Sequence, residues 1–103
     1  MRRGEIRWCQ FGRPDKRRPV VILTRDSILE YLGEVTVAPI TTSVRGIATE
    51  VVLSSADGVP RQSAVNLDHV QTVSKARIGL LITALPPPRM REIRTALLFA
   101  LGF

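Results

Sequence analysis

The sequence predicts a mainly β fold, a small barrel with a C-terminal helix, and three observations carry that expectation. Short runs rich in Val, Ile and Thr recur through most of the chain, too short for helices of ordinary length and of the composition that strands favour. Turn-forming residues separate them, as in Gly12-Arg13-Pro14-Asp15 and Asp57-Gly58-Val59-Pro60. After the triple proline Pro86-Pro87-Pro88 the apolar period changes from two to that of a helix. A chain of 103 residues supports one hydrophobic core and not two, so a single domain spanning 1–103 is expected.

The first strand lies within residues 4–11, where Ile6 and Trp8 alternate with Glu5 and Arg7 and both apolar side chains are expected to face the core. Gly12 to Lys16 turns the chain. Val20 to Leu23 is continuously apolar, as in a strand covered on both faces. Asp26 to Leu32 reads as a turn or a single helical turn closed by Gly33, and Val35 and Val37 then alternate with Thr36 and Ala38 in a further strand. Thr49–Leu53, Ser63–Val65, Val70–Val73 and Ile78–Ile82 complete the short strands of the barrel. The prolines suit the first turn of a helix, where a missing N–H costs nothing. Met90, Ile93, Leu97 and Leu101 form its apolar stripe, with Arg89, Arg91, Glu92 and Arg94 opposite. Leu98 and Phe99 widen that stripe, so the helix either covers the barrel or is shared with a second subunit.

Fifteen Lys and Arg against nine Asp and Glu give a net charge of +6, which favours polyanionic partners, nucleic acid ahead of an anionic membrane surface. No apolar run reaches the length of a membrane span, and Met1-Arg2-Arg3-Gly4-Glu5 enters a strand with no signal-peptide core, so a cytoplasmic protein is expected. The single Cys9 excludes an internal disulfide and a cysteine-based metal site, and the single His69 leaves no histidine pair. No metal and no cofactor are expected.

The chemistry concentrates between Arg17 and Ser43. Arg17 and Arg18 open one strand and Thr41, Thr42 and Ser43 close another, so a guanidinium cluster and a hydroxyl cluster stand at strand ends where a rigid sheet can aim both at one anion. An arginine fork holds two phosphate oxygens at once and stabilises charge that grows on phosphorus. The competing reading is solvated charge guarding an edge strand for Arg17, and turn capping for the hydroxyls.

Gly4-Glu5-Ile6-Arg7-Trp8, Arg18-Pro19-Val20-Val21-Ile22-Leu23-Thr24, Val37-Ala38-Pro39-Ile40-Thr41, Glu50-Val51-Val52-Leu53, and Ser63 to Asp68 with Val70-Gln71-Thr72-Val73 occur in an order and spacing that resemble the MazF/PemK-like toxin family. The resemblance runs through essentially the whole chain. It implies an SH3-like β-barrel of the CcdB/MazF type with a C-terminal helix, a homodimer, and a metal-independent endoribonuclease neutralised by a MazE-type antitoxin. The substrate implied is single-stranded RNA, whether mRNA, tRNA or rRNA, cut to 2′,3′-cyclic phosphate and 5′-OH ends.

Family catalytic positions fall on Arg18, for the transition-state charge, and Thr41, for a phosphate oxygen. The first loop is shorter than in many members and lacks their Gly-x-Glu element, which leaves Asp15 as the candidate base. Ser63 and Asn66 lie in a block that lines the RNA groove in the family. Arg17, Thr42, Ser43, Arg45, Lys75 and Arg77 are further candidate RNA contacts, each with solvated charge or turn capping as the alternative. His69 beside Asp68 reads as structural or exposed. Two other functions fit the same fold: a CcdB-like gyrase poison, whose Trp-Gly-Ile ending is here Leu101-Gly102-Phe103, and an SH3-like RNA-binding module without catalysis.

Overall fold

The computed structural model describes residues 1–13 and 16–103. Among these residues are seven strands, β1 (Glu5–Gln10), β2 (Arg17–Ile22), β3 (Glu34–Thr41), β4 (Glu50–Leu53), β5 (Ser63–Asn66), β6 (Gln71–Ser74) and β7 (Ile78–Ala84), with the short helix α1 (Asp26–Leu29) between β2 and β3 and α2 (Pro87–Leu101) after β7. All pairings are antiparallel, in the spatial order β4-β5-β3-β2-β1-β7, with β6 added to β3. The mainly β fold with a C-terminal helix is as the sequence predicts.

The sheet separates two cores, and alternation decides which side chain enters which. Ile6, Val21, Ala38 and Ile40 face a larger core that includes Val51, Leu53, Val65 and the α2 residues Ile93 and Ala96. Val20, Ile22, Val35 and Val37 face a smaller one with Cys9, Leu29 and Val73. Val20, Val21 and Ile22 are each fully buried, which accounts for a run that is apolar at consecutive positions.

Two expectations are corrected. Trp8 shares the parity of Ile6 but is half-buried within β1 and belongs to neither core. The β1–β7 ladder shifts register between Ile6 and Arg7 and again between Arg7 and Cys9, an irregularity of the kind that bends a strand and re-aims its side chains. Leu101 is 62% exposed, because the buried face of α2 is Ile93 and Ala96 with Met90, Leu97 and Ala100 beside them. The helix ends one residue later at Gly102, with φ of 81°, where Gly102 N donates to Phe99 O and Phe103 N to Leu98 O.

Pro87 and Pro88 fill the first turn of α2, and the amides of Arg89 and Met90 both donate to Pro86 O. Three 3-10 turns (Ser55–Asp57, Leu67–His69, Lys75–Arg77) punctuate the second half of the chain, each opened by a Ser54, Asn66 or Ser74 side chain that accepts a nearby amide. Among the described residues no helix is long and apolar enough to cross a membrane.

Candidate active site

The antiparallel register of β2 and β3 pairs Val20 with Pro39, Val21 with Ala38 and Ile22 with Val37. Carried two residues further, that register sets Arg18 opposite Thr41, so the basic start of one strand and the hydroxyl end of the other arrive together. They line one cavity of about 600 Å³. Lys16, Arg17, Arg18 and Arg61 bring positive charge to its wall, Thr41, Thr42, Ser43 and Ser63 bring hydroxyls, and Trp8, Pro19, Ile40, Val59, Pro60 and Ile82 supply apolar surface.

Among the described residues no Asp, Glu or His lines this cavity. The four cations of this wall concentrate positive charge, which attracts an anion. Arg17 and Arg18 are exposed and Thr41 is half-buried, so a ligand reaches all three. Thr41 Oγ1 accepts the Ser43 amide at 3.1 Å, which fixes the hydroxyl while leaving its own proton to donate. The Arg17 guanidinium carbon lies 5.5 Å from the Trp8 ring centroid, a cation–π contact across the β1–β2 pair. Ser63 is 4% exposed, and its Oγ has no hydrogen-bond partner among the described residues.

Behind this wall Cys9 pairs with Arg18 in the β1–β2 ladder and is wholly buried. Burial pushes its thiol up from the ordinary value against the weaker pull of Arg77, so it stays protonated near neutral pH and supplies no nucleophile.

The structure therefore brings together Arg17, Arg18, Thr41, Thr42, Ser43 and Ser63, and does not bring Arg45, Asn66, Lys75 or Arg77 to the same cavity. Asn66 is buried and caps a 3-10 turn, accepting Asp68 N at 3.0 Å and lying 3.3 Å from His69 Nδ1. Lys75 Nζ donates to Leu29 O at 2.7 Å, tying α1 to the turn after β6. Arg45 stands against the buried Glu50, Nε to Oε2 3.6 Å. Arg77 Nη1 reaches Gln10 O at 3.5 Å. Asp15, the candidate base, lies outside the described residues.

Lys16 and Arg61 also line the cavity and were not among the sequence-derived contacts, and Trp8, read from the sequence as core with base stacking as the alternative, lines it too. Lys16 directly precedes the Arg17-Arg18 pair, a signal present in the sequence. Arg61 follows a turn whose only visible signature was Gly58 and Pro60.

A family model described as "PemK-like, MazF-like toxin of type II toxin-antitoxin system" matches residues 2–101. The chain is 49% identical over 96 residues to the probable endoribonuclease MazF5 of Mycobacterium tuberculosis, spanning 92% of this chain and 87% of that relative. Among solved structures it is similar to Mycobacterium tuberculosis toxin MazF-mt6, with a TM-score of 0.88, 38% identity, and coverage of 96% of this chain and 97% of that one. It is also similar to an endoribonuclease in complex with its cognate antitoxin from a mycobacterial species, with a TM-score of 0.89, 28% identity, and coverage of 100% and 96%.

Proposed function

The chain belongs to the PemK-like, MazF-like toxin family, and on that premise we propose that it is the toxin of a type II toxin–antitoxin pair and cuts single-stranded RNA at selected sequences without a metal ion. The observation that carries this reading is the convergence of Arg18 and Thr41, from adjacent strands, on one cavity walled by four cations.

In the proposed reaction the ribose 2′-oxygen bonds to the adjacent phosphorus as the P–O5′ bond breaks, leaving a 2′,3′-cyclic phosphate and a 5′-OH. The proton of the 2′-hydroxyl goes to Asp15 or to water, and one from solvent returns to O5′. Arg18 holds the extra negative charge on the non-bridging oxygens in the transition state, and Thr41 donates to one of them. Lys16, Arg17 and Arg61 hold the flanking phosphates. A single strand suits the site because its bases are not locked in stacks.

Leu80, Phe99 and Phe103 are 78%, 64% and 89% exposed, apolar surface that supports a homodimer. The cationic cavity supports an antitoxin of MazE type that lays an acidic segment over it, in the cytoplasm where both would be made. The test is incubation of the purified protein with a long single-stranded RNA in EDTA and mapping of the product ends. Discrete cuts with cyclic phosphate ends are expected; RNA left intact, or cut only when a divalent metal is added, overturns the reading.

A further inference from the structure

Arg61 reaches the cavity from the loop between β4 and β5, and that loop is fastened to α2 as well as to itself. The nearly buried carboxylate of Asp57 is held from two sides. Oδ2 accepts the Ser54 amide at 2.9 Å, which closes the turn locally. From α2, Arg89 brings Nε to Oδ1 at 2.9 Å and Nη2 to Oδ2 at 3.0 Å, and Glu92 takes Arg89 Nη1 at 2.8 Å and keeps the guanidinium aimed.

The next three residues are each fixed by a different means. Gly58, at φ of 92°, lies so close to β7 that an added Cβ would stand 2.6 Å from Thr83 Oγ1. Val59 is 5% exposed and enters the larger core. Pro60 has its φ set by its own ring. Arg61 follows, exposed on the cavity wall. A surface loop held only by its local bonds spreads over many conformations, and ordering it when a ligand binds lowers affinity. The grip from α2 orders it beforehand.

We propose that Asp57 and Arg89 are positioning residues for RNA binding: their ion pair, remote from the reacting atoms, holds the chain at Gly58, Val59 and Pro60 so that Arg61 stands at the cavity ready for a phosphate. The proposal rests on the RNA-cleaving reading and adds to it a coupling between α2 and the cavity. Arg18 and Thr41 come from β2 and β3 and not from this loop, so losing the grip falls on binding and spares the chemical step.

The experiment uses a single-stranded RNA with a mapped cut site, and the same RNA with the reactive 2′-hydroxyl removed. Affinity for the second, and kcat and KM for the first, are measured for wild type, Asp57→Asn, Arg89→Met and Arg61→Ala, and for each of the first two variants combined with Arg61→Ala. All measurements are made well below the melting temperature of each protein. Asp57→Asn and Arg89→Met are each expected to weaken binding and raise KM by about 10-fold, the cost of ordering about one residue's backbone on binding, with kcat within about 2-fold of wild type. On the Arg61→Ala background neither should weaken binding further. Lower melting temperatures with unchanged affinity in both variants would make the ion pair structural only and overturn the proposal. A loss that adds in full to that of Arg61→Ala overturns it as well, as does an Arg61→Ala variant that binds like wild type. Binding with the expected coupling but no cleavage overturns the nuclease reading alone; wild-type protein that binds no RNA overturns both.

Discussion

Arg89 grips Asp57 with both arms of its guanidinium, Nε to Oδ1 at 2.9 Å and Nη2 to Oδ2 at 3.0 Å, and so fastens the first turn of α2 to the loop between β4 and β5. The Arg89 hydrogen bonds, with the Ser54 amide second, hold the Asp57 carboxyl below its ordinary value. A pKa depressed by folding contributes stability that is complete above the unfolded value, about 4, and is lost as pH falls through the folded value. Asp57→Asn is expected to cost about 1–2 kcal/mol at pH 7 and to give a flatter acid limb. Thermal melts from pH 7 to pH 2 check this, and parallel curves for the two proteins would refute it.

The same loop contains Gly58, at φ of 92°, where an added Cβ would stand 2.6 Å from Thr83 Oγ1 and 2.9 Å from Thr83 Cβ. Both the backbone and the space demand glycine. Gly58→Ala is expected to destabilise by about 1–3 kcal/mol, measured by urea unfolding. Because Val59, Pro60 and Arg61 follow directly, RNA cleavage should also fall at temperatures where the variant remains folded.

Arg18 is exposed at the start of β2, so its loss leaves the core untouched. Arg18→Ala is expected to lower kcat/KM by about 10³-fold while unfolding free energy moves by less than about 0.5 kcal/mol. Arg18→Lys should remain impaired, since an ammonium lacks the two-armed fork. Thr41→Val, which keeps the shape and removes the donor, should cost about 10²-fold. Single-turnover cleavage beside melting curves decides; loss of activity matched by loss of folding would remove both residues from the chemistry.

Arg18 and Thr41 were legible because both sit at strand ends, and antiparallel neighbours bring the start of one strand to the end of the next. The two-sided burial of Val20–Ile22 was legible for a similar reason: a run with no alternation has no solvent face. Trp8 was misplaced because alternation gives the parity of a side chain and not whether the sheet still covers it at that point. Arg61 was missed because nothing local to Pro60-Arg61-Gln62 says which cavity the β4–β5 loop borders. Arg89, placed on the solvent face by helical period, finds Asp57 across 32 residues of sequence, a partner that only the fold supplies.

Arg61 and Lys75 separate phosphate contacts from structural cations. Arg61 is exposed on the cavity wall, so Arg61→Ala should weaken binding to every RNA and lower the slope of log affinity against log salt by about 0.7. Lys75 spends a donor on Leu29 O. Lys75→Met should leave the salt slope unchanged and lose about 1 kcal/mol of stability. Binding titrations at several salt concentrations, using a substrate with the reactive 2′-hydroxyl removed, read the first effect without cleavage. The opposite pattern would exchange the two roles.

Glu50 explains how the chain beyond Thr41 is held. Its side chain is fully buried, and Oε1 accepts the amides of Arg45 at 2.9 Å and Gly46 at 3.0 Å, closing the loop that follows Thr42 and Ser43 on the cavity wall. Oε2 has no hydrogen-bond partner among the described residues, and the cation beside it is Arg45 at 3.6 Å. A buried carboxylate with one unsatisfied oxygen depends on that cation, although the 58% exposure of the Arg45 side chain weakens the attraction. Arg45→Met is therefore expected to cost no more than about 1 kcal/mol and to leave the salt dependence of RNA binding alone. Glu50→Ala, which strips both amides of their acceptor, should cost about 2–4 kcal/mol and slow cleavage by loosening the loop. Glu50→Gln keeps an acceptor for the amides and removes the charge, so adding Arg45→Met to it should cost nothing further. A urea double-mutant cycle measures that coupling; no coupling, together with a lower salt slope in Arg45→Met, would instead make Arg45 an RNA contact and leave Glu50 to hold the loop by its amide bonds alone.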